Sequence, residues 1–183
     1  TLALPADAAP SSVQASEVLA SGIQEVSNAM VEDFKLNDIV RMILETMLRA
    51  LGARRIVFCL REVKTERMTG RFGLGEGSAE AVRALAVPLK DAGDLFAIVC
   101  QRGADTLIAD ATDARMRERL PPWYRSSVNA ACFLLLPVLI KERAFALIYA
   151  DHERPSSLSV DDKVQGQLRT LRNQLVMAFR QTG

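Results

Sequence analysis

The 183-residue chain holds a single histidine, His152, and three cysteines, Cys59, Cys100 and Cys132. One histidine is too few for most metal sites and for the Ser-His or Cys-His pairs that activate a nucleophile. Three widely spaced thiols build no disulfide framework and point to a reducing compartment, so the expected location is cytoplasmic. Charge of one sign is missing as well: 23 basic and 22 acidic residues leave a net charge of +1. Such a mixture gives no basic footprint for nucleic acid or an anionic membrane, and neither is an expected partner. No apolar run approaches the ~20 residues that cross a bilayer. The start, TLALPADAAPSS, lacks the basic residues and apolar stretch of a secretory signal. It also begins with Thr1 instead of Met, which fits a segment of a longer protein.

What is present is typical of a globular domain: 49% hydrophobic and 25% charged residues. The length fits one domain with flanking helices. Residues 1–11, rich in Ala, Pro, Ser and Asp, are expected to be a linker, and residues 12–183 a single domain. Leu19, Ile23, Val26 and Met30 recur at helical spacing and predict a helix over residues 12–34, capped by Ser11 or Ser12. A second helix starts at Asn37 or Asp38. Its broad face is Ile39, Val40, Ile43, Leu44, Met47, Leu48 and Leu51, and Gly52 is placed to close it.

The segment RIVFCLREV is apolar on both faces, so helices should cover both sides of its sheet. MTGRFGLG returns as a second strand, and its glycines Gly70, Gly73 and Gly75 suggest an edge. Short elements follow: a helix over 78–84, a strand over 86–89, a helix over 94–101, a strand over 106–109 and a charged helix over 113–119 halted by Pro121 and Pro122. The clearest strand is ACFLLLPVLI, residues 131–140, which turns at Lys141-Glu142-Arg143 into AFALIYAD, residues 144–151. Neither has a polar face, so both should be central. A last helix is expected over residues 159–181, with Asp161 and Asp162 in its first turn and a seam of Val160, Val164, Leu168, Leu171, Leu175 and Ala178. This order describes an α/β (α+β) fold with a largely antiparallel sheet of about five to six strands, helices on both faces and long terminal helices.

From the helix DIVRMILETMLRALG through RIVFCLREV to FLLLPVLIKERAFALIYAD and the final helix, residues 36–181, the chain resembles the GAF family. The stretches LGARRIVFCLR, RFGLGEG, LPPWYR and LRTLRNQLVMAFRQ resemble, more narrowly, the GAF-like C-terminal region of bacterial proteins that carry an HDOD domain. The resemblance implies a GAF/PAS-like fold and a sensory module of a signal-transduction protein, with a signalling domain upstream in the same chain. It also implies a small-molecule pocket between one sheet face and the middle segment. Three family patterns are absent. The cyclic-nucleotide signature fails because Leu134-Leu135-Leu136-Pro137 follow Phe133. The bilin-binding Cys-His pair fails because Gln101 follows Cys100, and a haem would have to use His152, on the far side of the hairpin. No cofactor is evident.

The spacing of Gly73, Gly75 and Gly77 lacks the strand-to-helix setting of a dinucleotide fingerprint. Trp123, Tyr124 and Arg125, after the double proline, are the leading pocket candidates, and Phe72, Phe96, Cys100 and Phe133 either line the same cavity or fill it. His152 reads as a loop residue beyond the last strand. The terminal helices carry two apolar stripes, more than one sheet face should absorb. Leu19, Ile23, Val26, Met30, Val164, Leu168, Leu171 and Leu175 are therefore candidates for a homodimeric four-helix bundle. Three functions remain: a sensory domain for an unidentified small molecule, a ligand-free dimerisation module, and a thiol redox enzyme like the GAF-fold free methionine sulfoxide reductases. A reactive thiol needs exposure and a lowered pKa, whereas Cys59 and Cys132 fall in apolar strands. No catalytic constellation is visible, and a non-enzymatic regulator is the leading expectation.

Overall fold

Ser11 begins the first helix with a reciprocal cap. Its hydroxyl accepts the Gln14 N–H at 3.2 Å, and the Gln14 side chain accepts the Ser11 N–H at 2.8 Å. The computed structural model describes residues 10–90 and 92–182, so the linker expected over residues 1–11 lies, for residues 1–9, outside the described residues. The elements are α1 (Ser12–Val31), α2 (Leu36–Leu51), β1 (Arg55–Glu62), β2 (Arg67–Gly75), α3 (Ser78–Ala84), β3 (Ala86–Pro88), α4 (Leu95–Arg102), β4 (Thr106–Ile108), α5 (Ala114–Arg117), a π-helical turn (Tyr124–Val128), β5 (Cys132–Ile140), β6 (Arg143–His152) and α6 (Asp162–Thr182). Gly52 closes α2 in the left-handed region, at φ 63°, as its position after the apolar run predicts.

The strands form one six-stranded antiparallel sheet in the order β3-β2-β1-β6-β5-β4. β6 sits at its centre between β1 and β5. The expectation that β2 is an edge is corrected: β3 pairs outside it, Met68 opposite Val87. The edges are instead the three-residue strands β3 and β4, too short to template another chain. The β5–β6 turn is also tighter than expected, because Arg143 already pairs with Ile140 and only Lys141 and Glu142 connect the strands, both at positive φ.

Alternation of side chains divides the sheet into two buried faces. One carries Ile56, Phe58, Leu134, Leu136, Val138, Ala146, Ile148 and Ala150 beneath α2 and α6, on which α1 packs in turn. The other carries Val57, Cys59, Phe133, Leu135, Leu147 and Tyr149 beneath α3, α4 and the π-helical turn.

The helix layer absorbs most of the apolar stripes assigned to a dimer. Leu19, Val26, Val164, Leu168, Leu171 and Leu175 are each 0–2% exposed within the single chain. The three helices bury one another as well as the sheet, so the surplus inferred from one sheet face alone is corrected. Gln167 donates to the Ser16 carbonyl at 3.0 Å, and Gln174 to the Ile23 carbonyl at 3.1 Å and the Ser27 hydroxyl at 2.8 Å. Both partners advance together along the chain, so α1 and α6 run parallel.

α1 reaches α2 closely through Gly22, where a Cβ would lie 2.2 Å from Thr46 Cγ2. Thr46 cannot rotate away freely, because its hydroxyl is bonded to the Met42 carbonyl at 2.8 Å. Gly22→Ala should therefore destabilise the chain by about 1–3 kcal/mol, despite the ~1 kcal/mol that alanine gains in helix propensity. Adding Thr46→Ala should recover most of the loss. Urea unfolding midpoints measure both, and an unchanged or higher midpoint for Gly22→Ala would refute the close approach.

Candidate functional site

The face where the family resemblance places a pocket is built by close approach. A Cβ at Gly70 would lie 2.3 Å from the Val82 carbonyl oxygen, and one at Gly73 would lie 2.9 Å from Val82 Cγ2. These glycines therefore let α3 settle directly on β2. The Asp94 carboxylate caps α4 by accepting the Ala97 N–H at 3.1 Å, and the first turn that it fixes carries Phe96. The Phe96 ring centre lies 5.1 Å from Trp123, 5.5 Å from Tyr124, 5.4 Å from Phe133 and 6.3 Å from Tyr149. These are contact distances for tilted and stacked aromatic pairs. Phe96, Tyr124, Phe133 and Tyr149 are at most 1% exposed, so rings occupy this space.

Of the seven pocket candidates, Phe96, Trp123, Tyr124 and Phe133 come together, with Trp123 half-buried at the rim. Cys100 is buried on the same face, farther along α4. Arg125 is exposed. Phe72 belongs to the opposite face: it pairs directly with Phe58, residues opposite one another share a face, and Arg41 stacks on its ring at 5.4 Å. A register shift between Phe58 and Cys59 separates it from the pocket side.

A constellation that the sequence reading passed over lies beneath the rings. Arg55 and Asp151 are cross-strand partners, 5% and 0% exposed. Arg55 Nε donates to Asp151 Oδ2 at 2.8 Å, Nη1 to the Gly77 carbonyl at 3.2 Å and Nη2 to the Val128 carbonyl at 3.1 Å. The Tyr149 hydroxyl donates to the same Asp151 oxygen at 2.5 Å, and the Tyr124 hydroxyl to the Ala130 carbonyl at 2.8 Å. Burial opposes charge on Arg55, but Asp151 and its hydrogen bond outweigh it and hold the guanidinium above its ordinary pKa. Burial raises both tyrosine pKa values, so at neutral pH their hydroxyls stay protonated donors. Arg54 approaches the other Asp151 oxygen at 3.6 Å and Glu153 at 3.6 Å from the sheet end. Every guanidinium nitrogen of Arg55 has a protein partner, so the group acts as a clamp between β1, β6, the start of α3 and the π-helical turn. The pairing was invisible in one dimension because 96 residues separate its members; the acid ending the closing hairpin was its only local signal.

The three thiols are buried. Desolvation, joined by mutual repulsion with Cys100, raises the Cys59 pKa, and desolvation pushes Cys100 up to about 12. Cys132 is raised by burial too, although backbone N–H groups of residues 156–158 oppose it. His152 is the last residue of β6, not a loop residue, and its Nδ1 accepts the Arg154 N–H at 3.2 Å. Among the described residues no cluster of three or more His, Cys, Asp or Glu side chains is placed to hold a metal ion.

The six-stranded antiparallel sheet, with a helix layer on one face and short elements on the other, has the architecture of the GAF fold. Among solved structures it is similar to the GAF domain of an Acinetobacter phosphoenolpyruvate-protein phosphotransferase, with TM-score 0.70 and 18% identity, covering 90% of this chain and 92% of that one. It is also similar to the GAF domain of a Coxiella burnetii phosphoenolpyruvate-protein phosphotransferase, with TM-score 0.72 and 14% identity over 94% and 96% of the two chains. A third likeness is to free methionine-R-sulfoxide reductase from Neisseria meningitidis in complex with its substrate, with TM-score 0.67, 16% identity and full coverage of both chains. At such identities these likenesses establish the fold alone. No protein-family model and no curated protein matches the chain.

Asp151→Leu should cost about 3–5 kcal/mol, because it strands the Arg55 charge without its counterion. The double change Arg55→Leu/Asp151→Leu should cost less than Asp151→Leu alone; equal or greater loss in a double-mutant cycle would refute the clamp. Native protein should react with a thiol reagent at a rate that tracks unfolding, as buried thiols of raised pKa do. Rapid modification of any one cysteine in the folded chain would contradict the burial described.

Proposed function

We propose that the chain is a regulatory GAF-fold module of a bacterial cytoplasmic signalling protein, acting as a homodimer through the outer faces of α1 and α6 and not as an enzyme. The observation that carries this is the apolar groove of about 480 Å³ between α1 and α6, lined by Ile23, Met30, Val31, Gln174 and Met177. Val13, Val31 and Met177, on these two helices, are three of the five exposed large apolar side chains among the described residues, the others being Val63 and Leu107. Two parallel pairs related by a two-fold axis would bury them in a four-helix bundle. Of the eight dimer candidates, Ile23 and Met30 line this surface, while the other six belong to the core of one chain.

On the pocket face the packed rings favour a ligand-free module over a sensor using that face. The sequence similarity to HDOD-associated regions supports an HDOD signalling domain upstream. No helix among the described residues is long and apolar enough to cross a membrane. The likeness to a methionine sulfoxide reductase is one of fold, and the raised thiol pKa values weigh against thiol catalysis.

Sedimentation velocity at tens of micromolar, on the order of specific protein–protein affinities, should show a dimer. Val31→Lys/Met177→Lys should shift it to monomer while leaving the urea midpoint of each chain intact. A wild-type chain that sediments as a monomer overturns the homodimer.

A further inference from the structure

A second opening lies on the helix side of the sheet, away from both the ring cluster and the α1–α6 groove. It is a cleft of about 440 Å³ between the start of α2, the exposed part of β1 and β2, and the end of α6. That volume falls in the range, roughly 300–1,000 Å³, of sites that hold metabolite-sized molecules. Leu36, Val40, Phe58, Leu60, Phe72 and Phe179 form apolar walls, and Phe58 and Phe179 meet at 6.0 Å. Two arginines stand at it. Arg71 is paired with Glu62 at 3.4 Å, an exposed and exchangeable contact. Arg41 lies over the Phe72 ring and forms no ion pair among those found in the described residues. Asp38 is the single acid of the lining. Lys35, at the N-cap of α2, supplies no side-chain cap, and Asp38 is the acid of that helix's first turn.

From this combination we infer that the cleft binds a small amphipathic carboxylate, such as a medium-chain or aryl-alkanoic acid. Its apolar body lies between Phe58, Phe72 and Phe179, and its carboxylate meets Arg41. A cation stacked on an aromatic ring at an apolar mouth selects an anionic head on an apolar tail. A neutral molecule of the same shape leaves Arg41 without a counterion, and a small hydrophilic anion leaves the walls unfilled. The occupant touches α2 and α6 directly, so its binding acts on the helix layer itself. The inference concerns binding alone and stands whether or not the chain dimerises through α1 and α6.

The test is calorimetric titration of the whole chain with octanoate below its micellar range, in parallel with 1-octanol, together with methyl NMR. Octanoate should bind saturably, with shifts centred on the Leu36, Val40 and Leu60 methyls. Arg41→Gln, an exposed helix position, should weaken octanoate at least about tenfold, equivalent to 1.4 kcal/mol, and leave 1-octanol unchanged. Asp38→Asn should tighten octanoate. Four results would overturn the inference: no saturation by about 10 mM, where any residual affinity is weaker than about 3 kcal/mol; equal affinity for octanoate and 1-octanol; an Arg41→Gln affinity within about twofold of wild type; or shifts mapping to another surface, including adventitious adsorption on the α1–α6 groove. Dimer dissociation at fixed octanoate, followed by sedimentation, separates failure of this site from failure of the homodimer.

Discussion

A guanidinium with almost no access to water must have its charge and its donors matched inside the protein, or the fold around it fails. Arg55 is matched by segments far apart in the chain: Asp151 on β6, the Gly77 carbonyl ahead of α3, and the Val128 carbonyl in the π-helical turn. Its geometry therefore fixes how the start of α3 and the π-helical turn sit over the sheet. Tyr149 is held by the same carboxylate, and Tyr124 belongs to the turn that Val128 ends. The two rings then close on Phe96 and Phe133. The solidity of the pocket face follows in part from the clamp, since loosening Tyr149 or Tyr124 would require moving a segment bonded to a buried charge.

The other face is organised differently. Gln167 and Gln174 tie α6 to α1 at two points about one heptad apart, so the parallel pair is held in register. Arg172 continues this linkage to the sheet edge by bonding Asp105, ahead of β4, and the Pro137 carbonyl of β5 at 3.3 Å. A shift of α6 along its axis would break contacts to a neighbouring helix and to a strand together. Packed layers of this kind change between discrete arrangements more readily than they deform smoothly.

What the sequence disclosed follows from local rules. The three- and four-residue spacing of α2, the Gly52 cap and the unbroken apolar run of β5 and β6 depend only on near neighbours, and each was legible. What it concealed depends on distant partners. Phe72 changed face through a register shift opposite Phe58, which no period-two count on β2 alone contains. The stripe of Leu19, Val26, Leu168 and Leu175 looked like surplus because its fate depends on three helices meeting, not on either helix by itself. β2 looked like an edge because of its glycines; the short strand over 86–89 was legible, but its pairing outside β2 was not. Arg55 and Asp151 stand near the ends of apolar runs, where charged residues are ordinary, and only the pairing of β1 with β6 brings them together. The rings of Trp123, Tyr124, Phe96 and Phe133 were recognised as a group, but whether they line or fill a space is a question of packing volume that composition does not carry.

These two faces differ in how an effector would have to work. A ligand shifts a conformational equilibrium only by its difference in affinity for the two states. On the ring-filled face it would first have to displace packed aromatic side chains, each worth roughly 3–5 kcal/mol of core stability, and its effect would still have to cross the sheet to reach α1 and α6. The cleft beside α2 is already open, and the contacts at its mouth are the exposed Arg71–Glu62 pair and the Arg41 stack on Phe72. The walls there include Phe179, one turn from the end of α6, which also packs on Phe145 at 5.1 Å. An occupant that moved Phe179 by a fraction of a ring width would act on α6 without an intermediary. The energetic barrier to binding is therefore lower in the cleft than on the ring-filled face, where the Arg55 clamp holds Asp151, Tyr149 and the π-helical turn together.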